Sequence, residues 1–284
     1  MSGAHRVMVN CLGIEARVDG TQGAGAAAKP WIVLSNGLGT TLGMWDLQIE
    51  TLTRTHRVLR TNMRGHGRTD APAGPYAMAD LMADLLGVMD HFEIARADML
   101  GLSLGGVLAL NLGLDHPERV GRILCCDARA DAAPAFLDSW DTRIAAVAAQ
   151  GMEPVVAGTV ERWLTPAFRA AHPAETAATA AMLRATDPVG YMGCARALQS
   201  HGVMARLGAM TPHVLYVVGS EDAGAPPEIM RAMAAVTPHA DFIEIPAAAH
   251  VPPIDAAEAF NALLVSALGA GARDGTATAP AAVA

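Results

Sequence analysis

The segment that most limits how this chain can fold is Gly101-Leu102-Ser103-Leu104-Gly105-Gly106. An apolar run, Asp98–Leu102, leads into it, and a run with helical spacing, from Leu104 to about His116, leaves it. Strand, tight turn and helix in immediate succession force the backbone to reverse around Ser103. The glycines permit the reversal because they lack a Cβ. A serine held there sits at a helix N-terminus, where unpaired N–H groups and a partial positive charge collect. The bland alternative for the same residues is a glycine-rich packing turn with a helix-capping serine. The strand–turn–helix context favours a reactive serine.

The rest of the chain repeats the alternation of buried strand and helix. Trp31–Ser35, Val58–Thr61, Arg122–Cys126, Val214–Val218 and Phe242–Ile245 are short apolar runs that end in polar or glycine-rich turns. Arg6–Cys11 and Ile14–Asp19 read as a β-hairpin joined by Gly13. Met78–Phe92 places Leu81, Leu85, Val88 and Phe92 on one helical face, and a last helix covers roughly Ala256–Leu268. Between 130 and 210 the chain is alanine-rich and helical in spacing, without a clear strand. The expected organisation is therefore a core of residues 1–129 and 211–268 with a helical cap, 130–210, inserted into it. Residues 269–284 form a tail with little to bury. Buried strands joined through helices predict a mostly parallel sheet with helices on both faces. In such sheets the functional loops gather at the carboxyl ends of the strands. Asn36-Gly37, Arg64-Gly65, Ser103, Asp127, Asp222 and His250 all follow strands.

Composition narrows the function. Hydrophobic residues make up 52% of the 284 and charged residues 17%, with a net charge of −8. A basic nucleic-acid-binding face is not expected from that balance. No apolar stretch is long enough for a membrane span. Met1 to Gly13 has no uninterrupted apolar region followed by a cleavage pattern, so a cytoplasmic location is expected. The four cysteines, Cys11, Cys125, Cys126 and Cys194, show no C-x-x-C spacing and read as reduced thiols. No metal-binding motif or Walker motif is present, and Gly65-His66-Gly67 fails as a dinucleotide fingerprint because position 70 is Asp. His66 then reads as part of a structural turn, and the 15 methionines as core filler and cap lining. No cofactor is expected. The anticipated partner is a small-molecule substrate; a homo-oligomer is compatible with the chain.

A serine hydroxyl needs a base, and the base needs an orienting carboxylate. Of ten histidines, His250 follows the last strand, in Ala247-Ala248-Ala249-His250-Val251-Pro252. Asp222, after Val218-Gly219-Ser220-Glu221, is the favoured acid. Asp127, after the strand that follows the nucleophile, is its rival. The order serine, acid, histidine holds with Asp222. Leu104 N–H, next to the serine, and Leu38 N–H, in the turn Asn36-Gly37-Leu38-Gly39, are the expected oxyanion donors.

These motifs carry a resemblance. Leu34-Ser35-Asn36-Gly37-Leu38-Gly39-Thr40, Met44-Trp45-Asp46, Arg64-Gly65-His66-Gly67, the segment around Ser103, Trp140-Asp141-Thr142-Arg143-Ile144 and Glu161-Arg162-Trp163 are similar to the 3-oxoadipate enol-lactonases of the α/β-hydrolase superfamily. The likeness runs from about Trp31 to Leu268. It implies an α/β-hydrolase fold, with an eight-stranded, mostly parallel sheet, flanking helices and an inserted cap. It also implies a serine esterase or lactonase of aromatic compound catabolism, with the triad on Ser103, Asp222 and His250. One departure is specific. The family commonly has Asn-Thr-Ala where this chain reads Asp127-Ala128-Arg129. Asp127, Arg129 and Trp140 are therefore candidate substrate-binding positions. Arg129 is equally able to bind a substrate carboxylate or to pair with Asp127 or Asp131. Hydrolysis of a C–C bond in a β-diketone or ring-cleavage product, with the same triad, is the alternative reaction. A non-catalytic ligand receptor of the same fold is a more remote one.

Overall fold

The computed structural model describes residues 3–131 and 133–269, so the expected tail lies almost wholly outside the described residues. The strands are β1 Gly3–Val9, β2 Leu12–Asp19, β3 Trp31–Ser35, β4 Arg57–Thr61, β5 Ala97–Leu102, β6 Val120–Cys126, β7 His213–Gly219 and β8 Ala240–Ile245. They form one sheet in the order β1-β2-β4-β3-β5-β6-β7-β8. The β1–β2 and β2–β4 pairs are antiparallel, and every other pair is parallel. This is the expected α/β-hydrolase architecture.

The central strands read as continuous apolar runs because the sheet is covered on both sides. Ile32, Val33 and Leu34 of β3 and Met99 and Leu100 of β5 are completely buried. The helices that cover the sheet include α1 Ile49–Thr53, α2 Met78–His91 and α3 Leu104–Asp115. The helix α3 packs on β3, β5 and β6 and is buried all round, which is why its sequence shows no polar stripe. Between β6 and β7 the described chain is helical, with α4 Pro134–Gln150, α5 Glu153–Trp163, α6 Pro166–Ala171, α7 Pro173–Arg184 and α8 Pro188–Gln199. Then come α9 Pro227–Val236, between β7 and β8, and α10 Pro252–Asp255 and α11 Ala257–Leu268 at the end. No described helix is long and apolar enough to cross a membrane.

Two local expectations are corrected. The β1–β2 hairpin turns at Asn10-Cys11, not at Gly13. Both turn residues have positive φ, 50° and 64°, as a two-residue turn that matches strand twist requires. Gly13 lies inside β2 opposite Met8, where its N–H donates to Asp70 Oδ2 at 2.8 Å and a Cβ would collide with the Arg6 guanidinium. The helix α9 has no counterpart in the sequence reading. Its first turn begins with Pro227 and follows Pro226, so it reads as the end of a loop.

Strand register aligns the loops that matter. Ser35 lies opposite Gly101, Leu102 opposite Cys126, Cys126 opposite Val217, and Gly219 opposite Ile245. The carboxyl ends of β3, β5, β6, β7 and β8 therefore share one edge. The loops carrying Asn36, Ser103, Asp127, Asp222 and His250 all begin there.

On β4, Arg60 is only 1% exposed and joins three parts of the chain. It bonds Asp19 at 2.8 Å, Asp46 at 2.6 Å and the Leu42 carbonyl at 3.0 Å. Removing one member of such a buried set leaves a charge without its partner. Arg60→Ala is expected to lower stability by about 3 kcal/mol, read as a lower urea midpoint at unchanged slope.

Candidate active site

Ser103 stands between β5 and α3 with φ 53° and ψ −115°, a conformation that a side-chain-bearing residue rarely adopts. Its surroundings enforce it. The Ser103 N–H donates to the Cys126 carbonyl at 2.8 Å, and its own carbonyl accepts from Val107 N–H at 3.0 Å. A Cβ on Gly101 would strike the Gly105 carbonyl, and one on Gly105 would strike the Ser35 carbonyl, so strand and helix can meet only through glycine at these two positions. Leu102 and Leu104 are buried, whereas Ser103 between them is partly exposed. The nearby thiols of Cys125 and Cys126 are fully buried, and burial pushes both up, away from a reactive thiolate.

The turn after β3 is pinned against this serine. A Cβ on Gly37 would lie 3.7 Å from Ser103 Cβ. Asn36 donates from Nδ2 to the Thr61 carbonyl at 2.9 Å and to Asn62 Oδ1 at 3.2 Å, and its Oδ1 accepts from Trp45 Nε1 at 2.9 Å. Thr40 Oγ1 donates to the Gly37 carbonyl at 2.8 Å. His66 completes the set. Gly39 N–H donates to His66 Nε2 at 2.8 Å, so the ring proton belongs on Nδ1, which donates to the Arg64 carbonyl at 2.9 Å. Burial lowers the His66 pKa to about 4, which keeps the ring neutral and its Nε2 an acceptor. The N–H groups of Leu38 and Leu104 find no acceptor among the described residues. Both are buried positions beside Ser103, and a developing oxyanion could take both donors.

Histidine and acid come from the last two strands. His250 Nδ1 and Asp222 Oδ2 are 2.8 Å apart. A carboxylate there fixes the proton on Nδ1 and leaves Nε2 free to accept one. Burial pushes the Asp222 carboxyl up, but His250 and the N–H groups of Gly224 and Ala225 outweigh it and hold the group below the usual carboxylate range. Gly224 N–H lies 2.7 Å from Asp222 Oδ1. The two loops are stitched together, since Glu221 N–H donates to the Ala248 carbonyl at 2.8 Å and Ala247 N–H to Ser220 Oγ at 3.0 Å. Asp255 Oδ2 accepts from Ala249 N–H at 2.9 Å and from Thr165 N–H at 3.4 Å, which ties the histidine loop to α6. Trp163, at the end of α5, stacks on the His250 ring at 6.5 Å and 26°.

Asp127 is close by but makes a different contact. It is fully buried, with φ 45°, and its Oδ1 accepts from Gly219 N–H at 2.9 Å. Burial and then the Asp222 charge push its carboxyl well above the usual range. Arg129 makes one of its expected contacts, the pair with Asp131. Its Nε and Nη2 each lie 2.8 Å from an Asp131 oxygen, and its guanidinium covers Phe136 at 4.5 Å. Trp140 is 8% exposed, edge-on to Phe136 at 6.0 Å, with the Arg143 guanidinium over its ring at 4.5 Å. Asp127, Asp222 and His250 are also the one group among the described residues able to offer three ligand atoms to an ion. Two of the three, His250 and Asp222, are bonded to each other through Nδ1 and Oδ2.

Three positions escaped the sequence reading. His66 was visible as a histidine in a glycine turn, but its grip on Gly39 depends on a fold-level approach across 27 residues. Arg143 and Arg162 are partly buried and form no ion pair with an acid among the described residues.

The alpha/beta hydrolase fold model matches residues 30–257. Two 3-oxoadipate enol-lactonases of Acinetobacter baylyi are similar to the chain. One is 31% identical over 70% of this chain and 73% of its own length. The other is 32% identical over 78% and 82%. The crystal structure of the enol-lactonase from Burkholderia xenovorans LB400 superposes with a TM-score of 0.86 at 33% identity, covering 91% of this chain and 97% of that one.

If His66 positions the donor loop, His66→Ala should reduce kcat on an activated ester by roughly 10- to 100-fold, short of losing an oxyanion donor outright. KM should change little, which steady-state kinetics will read.

Proposed function

The chain belongs to the α/β-hydrolase family, and from that membership we propose that it is a serine hydrolase that opens a small carboxylic ester or lactone through an acyl-enzyme. The observations that support the reading are the 2.8 Å contact between His250 Nδ1 and Asp222 and the strained backbone of a partly exposed Ser103. Ser103 Oγ attacks the carbonyl carbon as His250 Nε2 takes its proton. Asp222 stabilises the imidazolium. The carbonyl oxygen, now negative, accepts from the Leu38 and Leu104 N–H groups. Collapse of the tetrahedral intermediate expels the alkoxide, which leaves with the proton from His250. In a lactone that alcohol remains attached to the acyl group. Water then attacks the acyl-enzyme with His250 as base, and Ser103 is restored. The hydrolysis needs no cofactor.

Residues 130–210 act as the cap over this site. Support comes from Trp163 against His250, and from Leu183, which a Cβ on Gly39 would strike. Two arginines of the cap itself support a substrate class. Arg143 lies over Trp140, and Arg162 precedes Trp163 and donates to Thr159 Oγ1 at 3.0 Å. Burial and then the Arg162 charge lower the Arg143 pKa, and burial lowers that of Arg162. Two half-buried cations without a protein anion favour a substrate that brings its own carboxylate. The cytoplasm is the proposed location, since the four cysteines carry no disulfide.

Ser103→Ala should lower kcat on a lactone or aryl ester by roughly 10⁴- to 10⁶-fold, with an unchanged or raised melting temperature. Wild-type turnover in that variant would end the proposal. Arg143→Met combined with Arg162→Met should raise KM roughly 10- to 100-fold for a carboxylate-bearing lactone. A neutral ester of the same size should keep its KM, and an equal loss on both would remove the arginines from substrate recognition.

A further inference from the structure

Asp127 is a buried acid that the proposed mechanism does not use. One of its oxygens, Oδ1, is occupied by the Gly219 N–H at 2.9 Å. The other, Oδ2, is sealed from solvent and has no hydrogen-bond partner. A carboxylate oxygen of Asp127, one of Asp222 and a ring nitrogen of His250 all lie within 4.8 Å of one another. Two ionised carboxylates at that separation, both fully buried, would repel strongly in a medium of low dielectric. No cation answers the second charge. His250 is bonded to Asp222, and Arg129, two residues along, is engaged by Asp131. The other titratable groups facing Asp127 add nothing positive. They are Asp255, beyond the histidine loop, and the Cys125 and Cys126 thiols of its own strand.

A buried unpaired oxygen on a carboxyl group that has a second carboxylate within 4.8 Å is explained by one proton. We infer that Asp127 is a positioning residue that carries its carboxyl as the neutral acid and directs its Oδ2–H at the Asp222 carboxylate, so that the pair holds a single negative charge behind His250. The Asp127 backbone suits the task. Its φ of 45° and its N–H bond to the Val217 carbonyl at 2.9 Å fix it between the ends of β6 and β7. A neutral donor at this point fills an acceptor site on Asp222 and limits how strongly that carboxylate attracts the imidazolium proton. Asp222 is also held by the Gly224 and Ala225 N–H groups and by His250, so a fourth donor fixes its rotamer. The inference rests on Asp222 as the partner of His250 in catalysis, but the proton itself can be read without turnover.

Infrared difference spectroscopy of the full-length protein at pH 8, in H2O and D2O, tests it directly. The wild type should show the C=O stretch of a buried carboxylic acid, sensitive to deuteration. Asp127→Asn should remove that band, and Asp222→Asn should move it. Absence of the band from the wild type, or its survival in Asp127→Asn, overturns the inference. Kinetics supply a second test. Asp127→Asn keeps a neutral donor and should leave the acid limb of the kcat/KM profile in place. Asp127→Ala removes the donor and should move that limb up by roughly one pH unit. A limb that moves down in Asp127→Asn would mean that Asp127 is ionised in the wild type, and would equally overturn the inference. Loss of the triad reading would show separately, as full activity in Ser103→Ala with the infrared band intact.

Discussion

The left-handed backbone at Ser103 is the constraint on which the rest of the site depends. A residue with a side chain does not rest at φ 53° unless its neighbours make every alternative worse. Here Cys126 holds its N–H, Val107 holds its carbonyl, and Gly105 lets the helix approach the Ser35 carbonyl. Those contacts come from β6, from α3 and from the end of β3. The elbow is therefore not a property of the motif alone. It also fixes how three strand ends and a helix meet, which in turn sets the distance from the serine to the Asn36–Gly39 turn.

Around that point the molecule places its polar groups under apolar cover. Asn36, His66, Asp127 and Asp222 are all at most 3% exposed. A buried polar group without a partner costs about 1–3 kcal/mol, so each of these must be answered locally. Asn36 is answered by Thr61, Asn62 and Trp45, and His66 by Gly39 and Arg64. The result is a set of donors and acceptors that has little freedom to reorganise when charge develops on a substrate. That rigidity is what distinguishes a preorganised site from a polar cleft.

Much of this was legible in the sequence. Trp31–Ser35 was bounded without error because five apolar or small residues lead straight into a glycine turn. The sequence puts Ser103, Asp222 and His250 after successive strands, and in the fold they follow β5, β7 and β8. What was not legible depends on approach between distant segments. Gly13 looks like a turn residue, yet the turn is made by Asn10 and Cys11, which carry no glycine signal. The α9 helix hides behind two prolines. An aspartate after β6 reads the same whether water reaches it or not, so the sealed Oδ2 of Asp127 could not be foreseen. Arg129 has two evenly matched readings in the sequence, and the bidentate contact with Asp131, two residues away, belongs to one of them.

The stacking of Trp163 on His250 has a consequence for how this enzyme can be altered. The tryptophan carbonyl also accepts from Val251 N–H at 3.3 Å, and Asp255 reaches across to Thr165. The end of α5 and the start of α6 are thus bolted to the loop that carries His250. Trimming Trp163 would remove the wall against which the imidazole rests. A change at Trp163 therefore reaches the imidazole as well.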